Sequence, residues 1–229
     1  MKVLVIEDDE EVIEAISLTF RMRWPDSKLV STKLGERGIE LVESESPDIV
    51  ILDIGLPDIS GFEVLKQIRL FSTVPIVILT VMADEADIVK GLEYGADDYV
   101  VKPFRQLELM ARAKNVMGRQ GSLAEKPPLV CGQLHFDPST GQLLYGGKEI
   151  RLTTIEGEIL YHLMGQAGHI LTHSGLAKMV WGDDYQSTVN NLKVYIRRLR
   201  EKIEKDPSHP ELILTRAGLG YLLAKPKQS

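Results

Sequence analysis

DIVILDIGLP, residues 48–57, sets four consecutive apolar residues, Ile49 to Leu52, before an acid and a loop containing Gly and Pro. The run is short for a helix and rich in β-branched side chains, the pattern of a strand buried on both faces as in a parallel sheet. It stops at Asp53, because Gly55 and Pro57 forbid its continuation. An acid at the carboxyl end of a central parallel strand lies where open α/β sheets hold their ligands. A lone strand-end Asp is more often a turn former than a reactive group, so the neighbouring strands must decide.

Those neighbours repeat the pattern. Lys2 to Ile6 (KVLVI) ends in Glu7, Asp8 and Asp9, and Pro75 to Leu79 (PIVIL) ends in Thr80. Ala96 to Val101 ends in Lys102-Pro103, and Lys28 to Ser31 is a shorter strand. Between them lie helical patterns from about Glu10 to Met22, Glu36 to Ser44, Gly61 to Leu70, Asp84 to Tyr94 and Gln106 to Met117. Strands alternating with helices predict a doubly wound five-stranded parallel sheet with right-handed crossovers. The strand ends then bring together Asp8, Asp9, Asp53, Thr80 and Lys102. Carboxylates packed together repel one another unless a cation joins them. A hard divalent ion, most simply Mg²⁺, suits an all-oxygen set and leaves positions for water and a phosphoryl group. The Gly55 carbonyl is a further expected ligand, Lys102 a counter-charge for an anion, and Thr80 a hydrogen-bond donor to it.

Composition sets the frame. At 229 residues with 44% hydrophobic content the chain has room for two cored domains. No apolar run is long enough to span a membrane, and a strand begins straight after Met1-Lys2, so no membrane partner and a cytoplasmic location are expected. Cys131 is single, which excludes an internal disulfide. Residues 1–120 carry 14 Lys+Arg and 22 Asp+Glu, a net of −8; the remainder carries 13 and 11, a net of +2, and together these give the chain's −6. Two modules with different partners fit this asymmetry.

Residues 1–118 resemble the receiver domain of two-component response regulators, through EDD (7–9), DIGLP (53–57), Thr80 after PIVIL, and GADDYVVKPF (95–104). The resemblance implies a flavodoxin-like fold and transfer of a phosphoryl group from a sensor histidine kinase onto Asp53, with Mg²⁺ held by Asp8, Asp9 and Asp53. It makes Thr80 and Lys102 the phosphoryl-binding pair and Tyr99 the switch aromatic. Val81 stands where the family usually has Ala, and Gly55 where it commonly has Met. In the OmpR/PhoB subfamily a symmetric dimer forms on phosphorylation through ion pairs, matched here by Asp98 with Arg112 and Glu93 with Lys114. Ile88 occupies the place of a basic partner for Glu108.

Between Gly118 and Leu129, GRQGSLAEKPPL loses the apolar pattern, so residues 119–129 are expected to be a linker. Short strands at Leu134–Phe136, Gln142–Tyr145 and Glu149–Leu152 follow, with the Gly146-Gly147 pair as a hairpin signal. Thr153 with Glu156 reads as a capping box opening a helix to Gln166. Further helices are expected at about Ser174–Trp181 and Val189–Glu204, then a hairpin around Gly218 and Gly220. Helix–helix–helix–hairpin is the order of an α+β winged-helix domain, here residues 130–226. In the third helix Leu192, Ile196, Leu199 and Ile203 mark a core face, which leaves Lys193, Arg197, Arg198, Arg200, Lys202 and Lys205 as an outward basic stripe.

This half resembles the OmpR/PhoB effector domain through LTTIEGEIL (152–160), MVWG (179–182), VYIRRLREKIE (194–204) and GLGYLL (218–223). The resemblance implies binding to double-stranded promoter DNA. Asn191, Tyr195, Arg198 and Arg200 are the expected helix contacts, with Thr215 and Arg216 in the wing, where Ala217 replaces the family's Arg. Residues 183–188 correspond to the loop that meets RNA polymerase. The chain is expected to be no enzyme, because its chemistry is modification of itself. A haloacid-dehalogenase-like phosphatase would want a second Asp at position 55, which is Gly. A DNA-binding protein whose receiver is only a dimerisation scaffold is the other alternative. His169 and His173 straddle a helix-to-helix turn with no third ligand, so no zinc site is read there.

Overall fold

The computed structural model describes residues 1–81, 85–182 and 188–225. It divides into two compact units, 1–118 and 119–229. In the first, β1 (Lys2–Ile6), β2 (Lys28–Thr32), β3 (Ile49–Asp53), β4 (Ile76–Thr80) and β5 (Asp98–Val101) form one sheet in the order β2-β1-β3-β4-β5. All its pairings are parallel. β3 and β4 are buried along their whole length, as their unbroken apolar runs require. Val3, Val5, Ile49, Ile51, Val77 and Leu79 pack with Ile16 and Phe20 of α1 (Glu10–Arg23) and with Leu109, Ala113 and Val116 of α5 (Gln106–Ala124). The helices α2 (Gly35–Glu45), α3 (Gly61–Phe71) and α4 (Glu85–Tyr94) cover the opposite face. There a Cβ on Gly38 would lie 2.4 Å from Ile6 Cδ1, and one on Gly91 2.8 Å from Ile78 Cδ1. Two small residues thus let α2 and α4 lie directly on the strands.

The second unit opens with an antiparallel sheet of β6 (Leu129–Cys131), β7 (Leu134–Asp137), β8 (Gln142–Tyr145) and β9 (Lys148–Arg151). Three helices follow, α6 (Thr154–Gly165), α7 (His173–Trp181) and α8 (Thr188–Ile203). The short β10 (Leu171–Thr172) then joins the terminal hairpin β11 (Ile213–Arg216) and β12 (Gly220–Leu223) in the order β10-β12-β11. The doubly wound sheet and winged-helix expectations hold. β6 and β10, each of three residues or fewer, carry no periodic signal, and the sequence reading misses them.

The expected linker differs. α5 runs through Gly118 and Gly121 to Ala124, so the first six residues of 119–129 are helical. Each interior glycine costs a helix about 1 kcal/mol relative to Ala. Burial offsets this cost: Leu123 is 3% exposed. A Cβ on Gly157 of α6 would stand 3.0 Å from both Leu123 Cδ2 and Phe136 Cζ, so that glycine makes the seat for Leu123.

Candidate functional site

The acidic site is built at the carboxyl ends of β1, β3, β4 and β5. Just past β1, the Glu7 N–H is held by Thr32 O at 3.0 Å, and its side chain is fully buried. Asp53 closes β3, is 5% exposed, and its Oδ2 accepts the Gly55 N–H at 2.9 Å. Lys102 follows β5 through a backbone bond to Thr80 O and precedes a cis peptide to Pro103. Its ammonium lies 2.6 Å from Glu7 Oε2 and 2.8 Å from Asp53 Oδ1. Thr80, 5% exposed, ends the strand next to β3.

One assignment of the sequence reading is corrected here. The converging acids are Glu7, Asp8 and Asp53, whose ligand atoms lie within 4.8 Å of one another. Asp9 is turned away as the N-cap of α1, where its Oδ1 accepts the Glu11 N–H at 2.8 Å. A carboxylate suits that helix end, because it satisfies orphan amides and complements the helix dipole. Asp8 and Asp53 lie together, the Lys102 ammonium pairs with Asp53, and Thr80 ends the neighbouring strand. Gly55 enters through its N–H, and a Cβ there would come within 3.3 Å of Asp53 Oδ2.

The electrostatics fit a divalent cation. Three carboxylates converge here, and the Lys102 ammonium pairs with two of them, Glu7 and Asp53. Burial pushes the Glu7 carboxyl above its ordinary range, opposed by the Lys102 hydrogen bond and reinforced by the charge on Asp53. Burial works against the Lys102 ammonium, yet the hydrogen bonds and charges of Asp53 and Glu7 outweigh it and raise that pKa. Asp8, exposed, completes an oxygen-only set open to solvent, the donor chemistry Mg²⁺ prefers.

Gly61 supports the site from outside, a role the sequence reading missed. Its N–H bonds Ile54 O at 3.0 Å, and a Cβ would fall 2.1 Å from Asp53 O. We predict that Gly61→Ala costs about 1–3 kcal/mol through this backbone clash. Urea unfolding checks it, and an unchanged midpoint would refute the close approach.

Tyr99 is half-buried on β5 and, with Ile54, Phe62, Ile78, Thr80 and Ala96, lines a narrow recess of about 10 Å³, partly open to solvent. Arg112 lies 5.3 Å from its ring centroid. Arg112 also bonds Asp98 at 2.8 Å and Glu108 at 3.1 Å within this one chain. Glu108, left unmatched by Ile88 in the sequence, therefore has a partner on its own helix. Asp98 is buried, Glu93 half-exposed and Lys114 exposed. A second missed pair is Arg69 with Asp97, 2.9 Å apart, the Asp97 side chain fully enclosed and accepting the Ile76 N–H.

The basic helix is rearranged most. Its exposed residues in the last four turns are Lys193, Arg197 and Glu201, a single stripe in which Arg197 and Glu201 pair at 3.1 Å. Arg198, 7% exposed, points inward, with Nη2 2.7 Å from Glu156 Oε1. Lys202 takes Glu156 Oε2 at 2.7 Å and Arg151 O at 2.9 Å. Tyr195, 1% exposed, packs 5.8 Å from the Trp181 ring, and Asn191 is buried. Arg200 is spent on the hairpin, bonding Ile213 O and Thr215 Oγ1. The outward placement expected for Arg198 is thus corrected; Asn191 and Tyr195, named with it as DNA contacts, are buried, whereas Thr215 and Arg216 are exposed in the hairpin. Burial opposes ionisation of Glu156, but the charges of Arg198 and Lys202 and the hydrogen bonds from Lys202 and the Thr153 N–H hold its pKa down at about 2. Residues 183–187, most of the loop expected to meet RNA polymerase, lie outside the described residues.

His173 packs its ring edge-on against Tyr221 at 5.1 Å, a packing role for half of the histidine pair. Among the described residues no helix is long and apolar enough to cross a membrane.

Comparison with known proteins agrees with both halves. The response regulator receiver domain model matches residues 3–114, and that of the C-terminal domain of transcriptional regulatory proteins matches residues 147–223. The response regulator DrrB, described as a Thermotoga maritima OmpR/PhoB homolog, is 32% identical, matched over 97% of this chain and 98% of its own, with a TM-score of 0.51. A cysteine mutant of RitR, 22% identical over 98% of this chain and 99% of its own, shares the fold at a TM-score of 0.82. With a receiver carrying the acidic pocket and a winged helix behind it, the chain belongs to the OmpR/PhoB family of DNA-binding response regulators.

Proposed function

We propose that this protein is a transcription regulator switched by phosphorylation of Asp53, with a sensor histidine kinase as phosphodonor and double-stranded promoter DNA as target. The observation that carries the reading is the position of Asp53: one carboxylate oxygen is held by Lys102 at 2.8 Å and the other by the Gly55 N–H at 2.9 Å, at the mouth of a pocket with two further acids. An Asp53 oxygen attacks phosphorus, an O–P bond forms, and the P–N bond of the donor's phosphohistidine breaks. Lys102 then moves its charge from the carboxylate to the new phosphoryl oxygens, and the Thr80 hydroxyl donates to another. Bound Mg²⁺ on Glu7, Asp8 and Asp53 would offset the negative charge of the incoming group. Tyr99 turns inward as the switch aromatic, a bistable element of the kind a switch needs.

Phosphorylation promotes a homodimer through the face bearing Glu93, Asp98, Arg112 and Lys114. Arg112 must exchange its own Asp98 and Glu108 for a partner copy's acids, so the monomer's internal pairs compete with the dimer. The exposed Lys193 and Arg197, with Thr215 and Arg216, meet the DNA, and the loop of residues 183–188 engages RNA polymerase. Gel shifts on the promoter region of the protein's own operon, with and without acetyl phosphate and Mg²⁺, test the whole. Tighter binding after phosphorylation is expected; identical binding would overturn the switch.

Arg197 supplies a further expectation. Arg197→Ala weakens DNA binding evenly across sequences and lowers the salt slope by about one counterion if the side chain meets a phosphate. A titration of affinity against salt reads this directly, and an unaltered slope removes Arg197 from the interface.

A further inference from the structure

Among the described residues β11 is an edge strand, paired with β12 alone. Its free edge faces the last turns of α8, and two side chains one turn apart grip it there. The Glu204 carboxylate accepts three consecutive backbone N–H groups: Glu211 at 3.0 Å, Leu212 at 3.0 and 3.1 Å, and Ile213 at 2.8 Å. Arg200 donates from Nε and Nη2 to Ile213 O, at 3.0 and 2.6 Å, and from Nη2 to Thr215 Oγ1 at 2.8 Å. Ile213 is therefore held by both its N–H and its C=O. A carboxylate just past a helix C-terminus opposes the helix dipole, so helix stability does not account for Glu204.

We propose that Arg200 and Glu204 form a clamp that fixes the register of β11 against α8 and so sets where the wing, with Thr215 and Arg216, meets the DNA. The DNA part of this inference rests on the function proposed above. Thr215 and Arg216 are two and three residues beyond the gripped Ile213. A one-residue slip would shift each by about 3.3 Å and turn its side chain to the other face. The two clamp residues are positioning residues: the Glu204 carboxylate and the Nε and Nη2 of Arg200 are engaged by the hairpin.

The charge on Glu204 makes the test decisive in sign. Removing a negative charge near DNA strengthens binding if only electrostatics matter, whereas loss of the clamp weakens it. In the full-length protein, Glu204→Gln is expected to speed amide exchange at Leu212 and Ile213. It should also weaken binding to the own-operon promoter fragment about tenfold, the scale of hydrogen bonds to a charged group. Arg200→Lys keeps a positive charge but loses the fork, and is expected to weaken binding likewise. Adding Arg216→Ala to Glu204→Gln should cost less than the two changes separately, because the clamp acts through the wing. Unchanged or tighter binding by Glu204→Gln, or wild-type binding by Arg200→Lys, overturns the clamp. Should the wild-type protein bind no DNA, the proposed function fails first, and the claim about wing placement fails with it.

Discussion

Asp53→Asn is expected to abolish phosphoryl uptake completely. Incubated with acetyl phosphate and Mg²⁺, the wild-type protein gains the mass of one phosphoryl group and the variant none. The effect is all or nothing, because an amide offers no anionic oxygen to attack phosphorus. Its fold is expected to survive, since Asn keeps an oxygen for the Gly55 N–H, 2.9 Å away in the native protein. Lys102 keeps Glu7 as a counter-ion at 2.6 Å. Removing one of three crowded carboxylates also relieves repulsion, so stability should stay level or rise slightly. A variant that gains the same mass as wild type would move the chemistry to another residue. Glu7→Gln, by contrast, leaves the acceptor in place and thins the cation's ligand set. It should demand more Mg²⁺ for the same uptake, and this separates metal holding from phosphoryl acceptance.

The second large effect lies in the DNA-binding unit. Glu156→Ala is expected to destabilise that unit by about 3–5 kcal/mol, the cost of stranding buried partners of a removed charge. Arg198, 8% exposed by side chain, and Lys202, at 29%, both end on this one enclosed carboxylate. Arg198→Ala should fall in the same range, because it leaves Glu156 enclosed without its first partner. DNA affinity lost in Arg198→Ala would then follow the folded fraction, whereas loss in Arg197→Ala would not. Chemical denaturation of the full chain, followed at a probe in residues 119–229, measures this. A cost under 1 kcal/mol would deny the pair its role. The pH dependence has a definite sign. The folded pKa of about 2 lies below the ordinary 4.5. This stabilisation is therefore complete above about pH 4.5 and drains away as pH falls towards 2, roughly 3 kcal/mol in all. Acid unfolding of this unit should become shallower in that window when Glu156 is replaced by Met together with Arg198→Leu.

Two local misreadings have the same origin. Glu7, Asp8 and Asp9 are three adjacent acids, and sequence offers no way to tell which two face the pocket. The choice is made by how the chain leaves β1: Asp9 is taken by the free amides that open α1. In α8, Arg198 stands about 120° around the helix from the centre of the Leu192/Ile196/Leu199/Ile203 stripe, an outward position on a bare helix. An acid on α6, distant in sequence, draws it in. Thr153 and Glu156 do read as a capping box, and Glu156 Oε2 does accept the Thr153 N–H at 2.8 Å. The same carboxylate is also the anchor for α8, which local sequence cannot display.

By itself the sequence determined the alternation of strands and helices, the two modules, and the acid, hydroxyl and ammonium at the strand ends. These follow from short-range rules: apolar runs must be buried, Gly and Pro break strands, and side-chain period separates helix from strand. Tertiary structure alone decided that Glu7 replaces Asp9 in the pocket, that α5 continues through two glycines because Leu123 finds a seat, and that half of the basic helix is spent indoors. Each of these depends on a partner far away in the chain. Burying or pairing a charge changes its free energy by kilocalories per mole, against a few tenths for local preference.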